Sequence, residues 1–86
     1  TLLNTGSLTL RNSIQDNSNA NNITTTGIYE LYYATSQTVV NFAFKNSSIL
    51  EVVAGAGYIV QRQTGIDKCF TRYCDTVGKW SNWIQL

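Results

Sequence analysis

The chain has 86 residues, 43% of them hydrophobic and 12% aromatic, which is the length of one domain and too apolar a composition to stay disordered. Net charge is +1, and the six cations (Arg11, Lys45, Arg62, Lys68, Arg72, Lys79) are scattered, which argues against nucleic acid or an anionic membrane as partner. So short a chain leaves roughly a third or more of its unfolded surface exposed after folding. With disulfides and metal poorly supplied, oligomerisation is the remaining source of support.

Thr1–Arg11 alternates weakly, with Leu8 and Leu10 on one side of a possible short strand. Asn12–Thr26 carries asparagine at 12, 17, 19, 21 and 22 and three consecutive threonines, and reads as an exposed loop or extended arm. Gly27–Ala34 is the first strong strand, rich in aromatic and β-branched residues, with Tyr29, Leu31 and Tyr33 expected inward and Tyr32 outward. Val39–Phe44 reads as a second strand, with the face of Val40, Phe42 and Phe44 inward, and Ile49–Val53 as a third. Ala54–Gly57 is a small-residue hairpin in which glycine permits positive φ. Tyr58–Gln63 and Lys68–Cys74 form the next hairpin around Thr64–Asp67, and Trp80 and Trp83 follow in a tail. Three apart in an extended segment, the two tryptophans would face opposite sides.

No window sustains helical spacing. Short strands joined by short turns predict an all-β meander folded into a small antiparallel β-sandwich or a partly closed barrel. A signal peptide would need a charged segment followed by an apolar run, and a membrane-spanning helix about 18 apolar residues. Neither is visible, so no membrane insertion is expected. The chain begins at Thr1, and a fragment of a longer protein is expected.

Cys69 and Cys74, placed on one extended strand, would lie roughly 16 Å apart, beyond the ~7 Å limit for a disulfide. Free thiols are expected, with a looped bridge possible only if the strand ends before Cys74. Two cysteines in a chain without histidine make a poor zinc site, and no cofactor or metal is implied. The same lack removes the commonest general base. Among the acids Asp16, Glu30, Glu51, Asp67 and Asp75, the pair Asp67 and Asp75 would be held about 20 Å apart by a seven-residue strand, too far for a glycosidase pair. Enzymatic activity is not expected. A surface of Thr, Ser, Asn and Gln suits neutral hydroxyl-rich ligands or close packing between subunits, and equally an ordinary soluble β protein.

Several fragments recur in order over residues 22–86. They are Asn22-Ile23-Thr24 leading into Gly27-Ile28-Tyr29, Leu50-Glu51-Val52, Gly57 followed by Gln61, Phe70-Thr71-Arg72, and Trp80-Ser81-Asn82-Trp83 before a terminal hydrophobic residue. Together they resemble the C-terminal knob domain of phage tail fibres and R-type pyocin fibres. The chain departs from that pattern where Asn41 is followed by Phe42-Ala43 in place of a proline, and in carrying Cys69 and Cys74. Residues 1–21 are not covered and are expected to be a linker or the end of a preceding fibre segment, with the knob spanning 22–86.

The resemblance implies a homotrimeric β knob at the distal tip of a virion's tail fibre, outside the cell, engaging a bacterial surface polysaccharide, lipopolysaccharide or teichoic acid. It also implies a structural framework of Gly27, Tyr29, Gln61, Phe70, Arg72 and Trp80. Arg72 would serve as a structural cation, either pairing with a carboxylate or capping Trp80 or Trp83. Tyr32, Tyr58, Arg62 and Trp83 are the candidate ligand contacts, by stacking on sugar rings or bonding hydroxyls and phosphates. The rival readings are a trimerisation or folding-assistance module of a fibre, tailspike or appendage, and a secreted lectin-like domain.

Overall fold

A computed structural model describes residues 10, 11 and 13–86, so most of the weak strand expected over Thr1–Arg11 lies outside the described residues. Five strands, β1 (Gly27–Leu31), β2 (Ser48–Gly55), β3 (Tyr58–Thr64), β4 (Cys69–Cys74) and β5 (Ile84–Gln85), form one sheet in sequential order, every neighbouring pair antiparallel. The sheet is open and does not close into a barrel.

The meander follows from local turn chemistry. Between β2 and β3 the two-residue turn Ala56-Gly57 has φ of 53° and 84°, the doubly left-handed geometry whose twist matches that of the flanking strands. Ala56 takes the left-handed conformation as well as the glycine. Between β3 and β4 the Gly65 amide donates to the Lys68 carbonyl at 2.8 Å. Gly65 is held without a side chain by packing, because a Cβ there would approach Phe44 Cζ to 2.9 Å.

Two expected strands are cut short or absent. β1 ends at Leu31, and Tyr33–Ser36 forms a single helical turn, α1. The Ser36 amide bonds the Tyr32 carbonyl at 2.9 Å and the Ser36 hydroxyl bonds the Tyr33 carbonyl at 2.6 Å. Serine thereby offers the backbone a local alternative to the ladder. Tyr33, expected inward, is therefore exposed, as Tyr32 is. Residues 39–44 are irregular, with only one isolated bridge, from Asn19 to Val40. Asn41 adopts φ 65°, a conformation asparagine tolerates, and this breaks the alternation. Val39 is buried and Val40 exposed, the reverse of the expected pattern, while Phe42 and Phe44 are half-buried.

The core is Ile14, Leu31, Val39, Leu50 and Val52, with Ile23, Tyr29, Phe42, Ile59 and Trp83 packed against it. Residues 10, 11 and 13–23 run beside the sheet. Leu10 bridges Ile28 in parallel, the Ile14 amide donates to the Glu30 carbonyl at 2.9 Å, and Ala20–Asn22 forms a short 3-10 turn. One face of the sheet is thus covered by irregular segments, and the other carries no second layer of the described residues.

Candidate functional site

Alternation along β3 sends Gln61 and Gln63 to the covered face, where both are fully buried. A loop packed on a sheet brings backbone polar groups into a dry interior, and those groups need partners. The two glutamines provide them. Gln61 donates through Nε2 to the carbonyls of Ala20 at 2.7 Å and Ile23 at 2.9 Å. Gln63 donates to the Phe44 carbonyl and the Ser48 hydroxyl, each at 3.0 Å, and accepts from the Ala43 amide at 2.8 Å. A primary amide has two donor hydrogens and an acceptor oxygen, so each side chain fastens a loop to the sheet with both donors and the oxygen engaged.

The acceptor oxygen of Gln61 is met by Arg72, directly opposite it on β4, whose Nε donates at 2.8 Å. Arg72 is only 5% exposed. Its guanidinium carbon lies 4.0 Å from the Trp80 ring centroid and 4.7 Å from that of Trp83, a cation held against two indole rings. Of the two roles open to Arg72, the aromatic one is observed, and its hydrogen-bonding partner is a neutral amide. Burial pushes the guanidinium down to about 10, and Cys74 acts in the opposite direction. Arg72 therefore stays protonated at neutral pH. Its Nη2 is buried without a hydrogen-bond partner, so the indole faces are the main compensation for its desolvation.

The tail reaches this position through a turn built on Asp75, whose carboxylate accepts from the amides of Val77 at 3.0 Å and Lys79 at 2.9 Å. Trp80 then bridges Cys74 in antiparallel fashion, and the Ser81 amide bonds the Tyr73 carbonyl at 2.8 Å. Residues 81–83 are not strand, so period-two alternation does not govern them. Trp80 and Trp83 both turn to Arg72 instead of facing opposite sides. Trp83 Nε1 donates to the Asn41 carbonyl at 3.0 Å, which ties the tail to the left-handed residue in the covering loop.

The expected framework residues occupy this one face. Gly27 is buried, Tyr29 packs on the core and its hydroxyl bonds the Thr25 carbonyl at 2.7 Å, and Phe70 packs on Phe44 with ring centroids 5.7 Å apart. Gln63 and Asn41 belong to the same assembly. Gln63 could have been found from its spacing two residues after Gln61 on one strand, whereas Asn41 is marked in the sequence only as the point of departure from the fibre-knob pattern.

The four candidate ligand contacts are not brought together. Tyr32 follows the end of β1 beside the Leu31–Ser48 pair, while Tyr58 opens β3 opposite Gly55. That places them at opposite ends of the sheet, about 20 Å apart along the strands. Arg62 projects from the uncovered face, and Trp83 is engaged by Arg72 and Asn41. Among the described residues, open clefts lie elsewhere, one of about 310 Å³ beside Arg11, Ser13, Ile14 and Tyr29 and another of about 210 Å³ beside Tyr73, Asp75, Lys79 and Trp80. None of the four residues lines either. Cys69 and Cys74 are free thiols, Cys74 buried and Cys69 half-buried, at the two ends of β4. No known family model, curated protein or solved structure matches the chain.

Proposed function

We propose that this is a non-enzymatic receptor-binding tip domain of a phage or phage-like tail fibre, a homotrimer that attaches to bacterial surface polysaccharide, lipopolysaccharide or teichoic acid. One observation carries the reading. Gln61, Arg72, Trp80 and Trp83, separated by up to 22 positions in the chain and central to the resemblance, meet in a single hydrogen-bonded and stacked cluster. Such convergence is what a shared framework requires. It leaves recognition to the loops and exposed aromatics around the frame. Tyr32 and its neighbour Tyr33, each 60% exposed, are the leading contacts for a sugar ring, with Tyr58 a second platform. Several copies on one fibre convert weak single-site affinity into firm attachment.

Glycan-array and whole-cell binding by the 86-residue chain tests this reading. Retention on a bacterial glycan that falls when Tyr32 and Tyr33 are replaced by alanine is the expected result. Absence of binding to every candidate host glycan, by a folded chain, sinks it. The alternative role, trimerisation or folding assistance, draws support from the apolar residues left on the uncovered face of the sheet. Failure of the longer fibre to assemble when the domain is deleted would favour it.

A further inference from the structure

The uncovered face is not an ordinary solvated surface. Antiparallel sheets with one wet face alternate apolar-in and polar-out, yet here Ile49, Val53, Val60, Tyr73 and Ile84 all stand on the outer side, each between 43% and 55% exposed. Val53, Val60 and Tyr73 are directly opposite one another on three adjacent strands. In the next row of the same face lie Glu51, Arg62, Thr71 and Ile84, with Glu51 opposite Arg62. The patch therefore has one acid and one base side by side at its middle, with a second acid, Glu30, opposite Ile49 at its β1 edge.

We infer that this outer face is the contact surface between copies of the chain, with Glu51 of one copy facing Arg62 of the next. Three features select that occupant. The charges at the centre are balanced and adjacent, so the centre of the face is electrostatically complementary to itself, while an anionic membrane or acidic partner would need net positive charge and the face, with Glu30 at its edge, has none. The exposed side chains are mainly aliphatic and β-branched, suited to dry packing rather than to hydroxyl-rich sugars, which stack on flat aromatic rings. The area allows it. Strands of five, eight, seven, six and two residues, about 4.8 Å apart and ~3.3 Å per residue, give a face of roughly 450 Å² in plan. This is about half the ~800 Å² per partner of a standard interface and suits a small, reversible contact. The inference deepens the oligomeric part of the reading above and does not depend on its glycan part.

Sedimentation of the intact chain at low and high micromolar concentration tests it. A mass that is a multiple of 9.6 kDa is expected, falling to that of one copy in Val60→Glu. Glu51→Arg and Arg62→Glu should each shift the equilibrium toward single copies by tenfold or more, and the double exchange E51R/R62E should restore association. Circular dichroism identifies any variant that fails to fold, and the two charge reversals decide the matter if Val60→Glu does. A wild-type chain that stays single at all concentrations overturns the inference, as does undiminished association in the charge reversals. Whole-cell binding of the wild-type chain is read in parallel. Association without binding to any candidate host glycan counts against the receptor reading alone, whereas glycan binding by a chain that stays single at all concentrations counts against the inference alone.

Discussion

The two faces of the sheet divide the usual roles of polar and apolar side chains in an unexpected way. On the covered face, β3 and β4 place Gln61, Gln63 and Arg72 in the interior. On the outer face the same strands, with β2, leave Val53, Val60 and Tyr73 half in water. A second sheet would have needed only apolar side chains beneath it, because its backbone groups would pair within its own ladder. The irregular segments 13–23 and 37–47 have no such ladder, and among their backbone groups the Ala20, Ile23 and Phe44 carbonyls and the Ala43 amide bond to Gln61 and Gln63 rising from the sheet. The buried glutamines follow from covering a sheet with loops, and the apolar outer face stays exposed among the described residues.

The largest test of the contrast is Gln61→Leu. It would strand the Ile23 carbonyl and the Nε of Arg72 and leave the Ala20 carbonyl with only the Ile23 amide, and the loss expected is about 3–4 kcal/mol in urea unfolding, enough to leave much of so small a domain unfolded. The equivalent change on the outer face, Val60→Thr, should alter single-copy stability by less than about 1 kcal/mol. Equal effects at the two positions would remove the distinction between the faces.

Arg72→Lys sharpens the account of the cation. Lysine keeps the charge but loses the planar stack between two indoles and the directed Nε bond to Gln61, so a loss of about 2 kcal/mol and a change in tryptophan fluorescence are expected. If the arginine were acting only as a point charge, the lysine variant would match the wild type by both measurements.

Gly65→Ala tests the packing of the covering loop. The added methyl must displace Phe44 from its place beside Phe70, at an expected cost of about 1–2 kcal/mol, visible as a lower melting temperature and as shifted aromatic resonances of both phenylalanines. The smallest effect is a gain. Ala56→Gly removes the left-handed strain at φ 53° and should raise stability by a few tenths to about 1 kcal/mol, offset in part by the greater freedom of the unfolded chain. Ala56→Asn achieves the same relief with less unfolded-state entropy and should do at least as well.

Legibility from the sequence tracked the range of the interaction responsible. The strand core of the meander was readable to within a residue or two at Ile49–Val53, Tyr58–Gln63 and Lys68–Cys74, because alternation and turn residues act over a few positions. Val39–Phe44 was misread because a left-handed Asn41 shifted the alternation. Asparagine permits that conformation but does not demand it, and the bonds that hold it run to Asn19 and Trp83, each more than 20 positions away. The end of β1 was misread for a similar reason, since serine at position 36 permits a turn that the strand propensity of Tyr32 and Tyr33 opposes. Among the site residues, Gln61 and Arg72 were expected as framework on resemblance alone, while the convergence of both tryptophans on one guanidinium was not visible, because an irregular 81–83 obeys no period.

By itself, then, the sequence determined an antiparallel meander of short strands, two free thiols too far apart along one strand to join, and a surface of low charge. These rest on local conformational preference and on the fixed rise of an extended chain. The tertiary structure decided which face of the sheet is covered, that loops and not a second sheet cover it, and that Arg72 sits between two indole rings with a glutamine as its neutral partner. Each of those outcomes depends on satisfying buried polar groups by residues distant in the chain, and no local pattern of residues encodes which distant groups will meet.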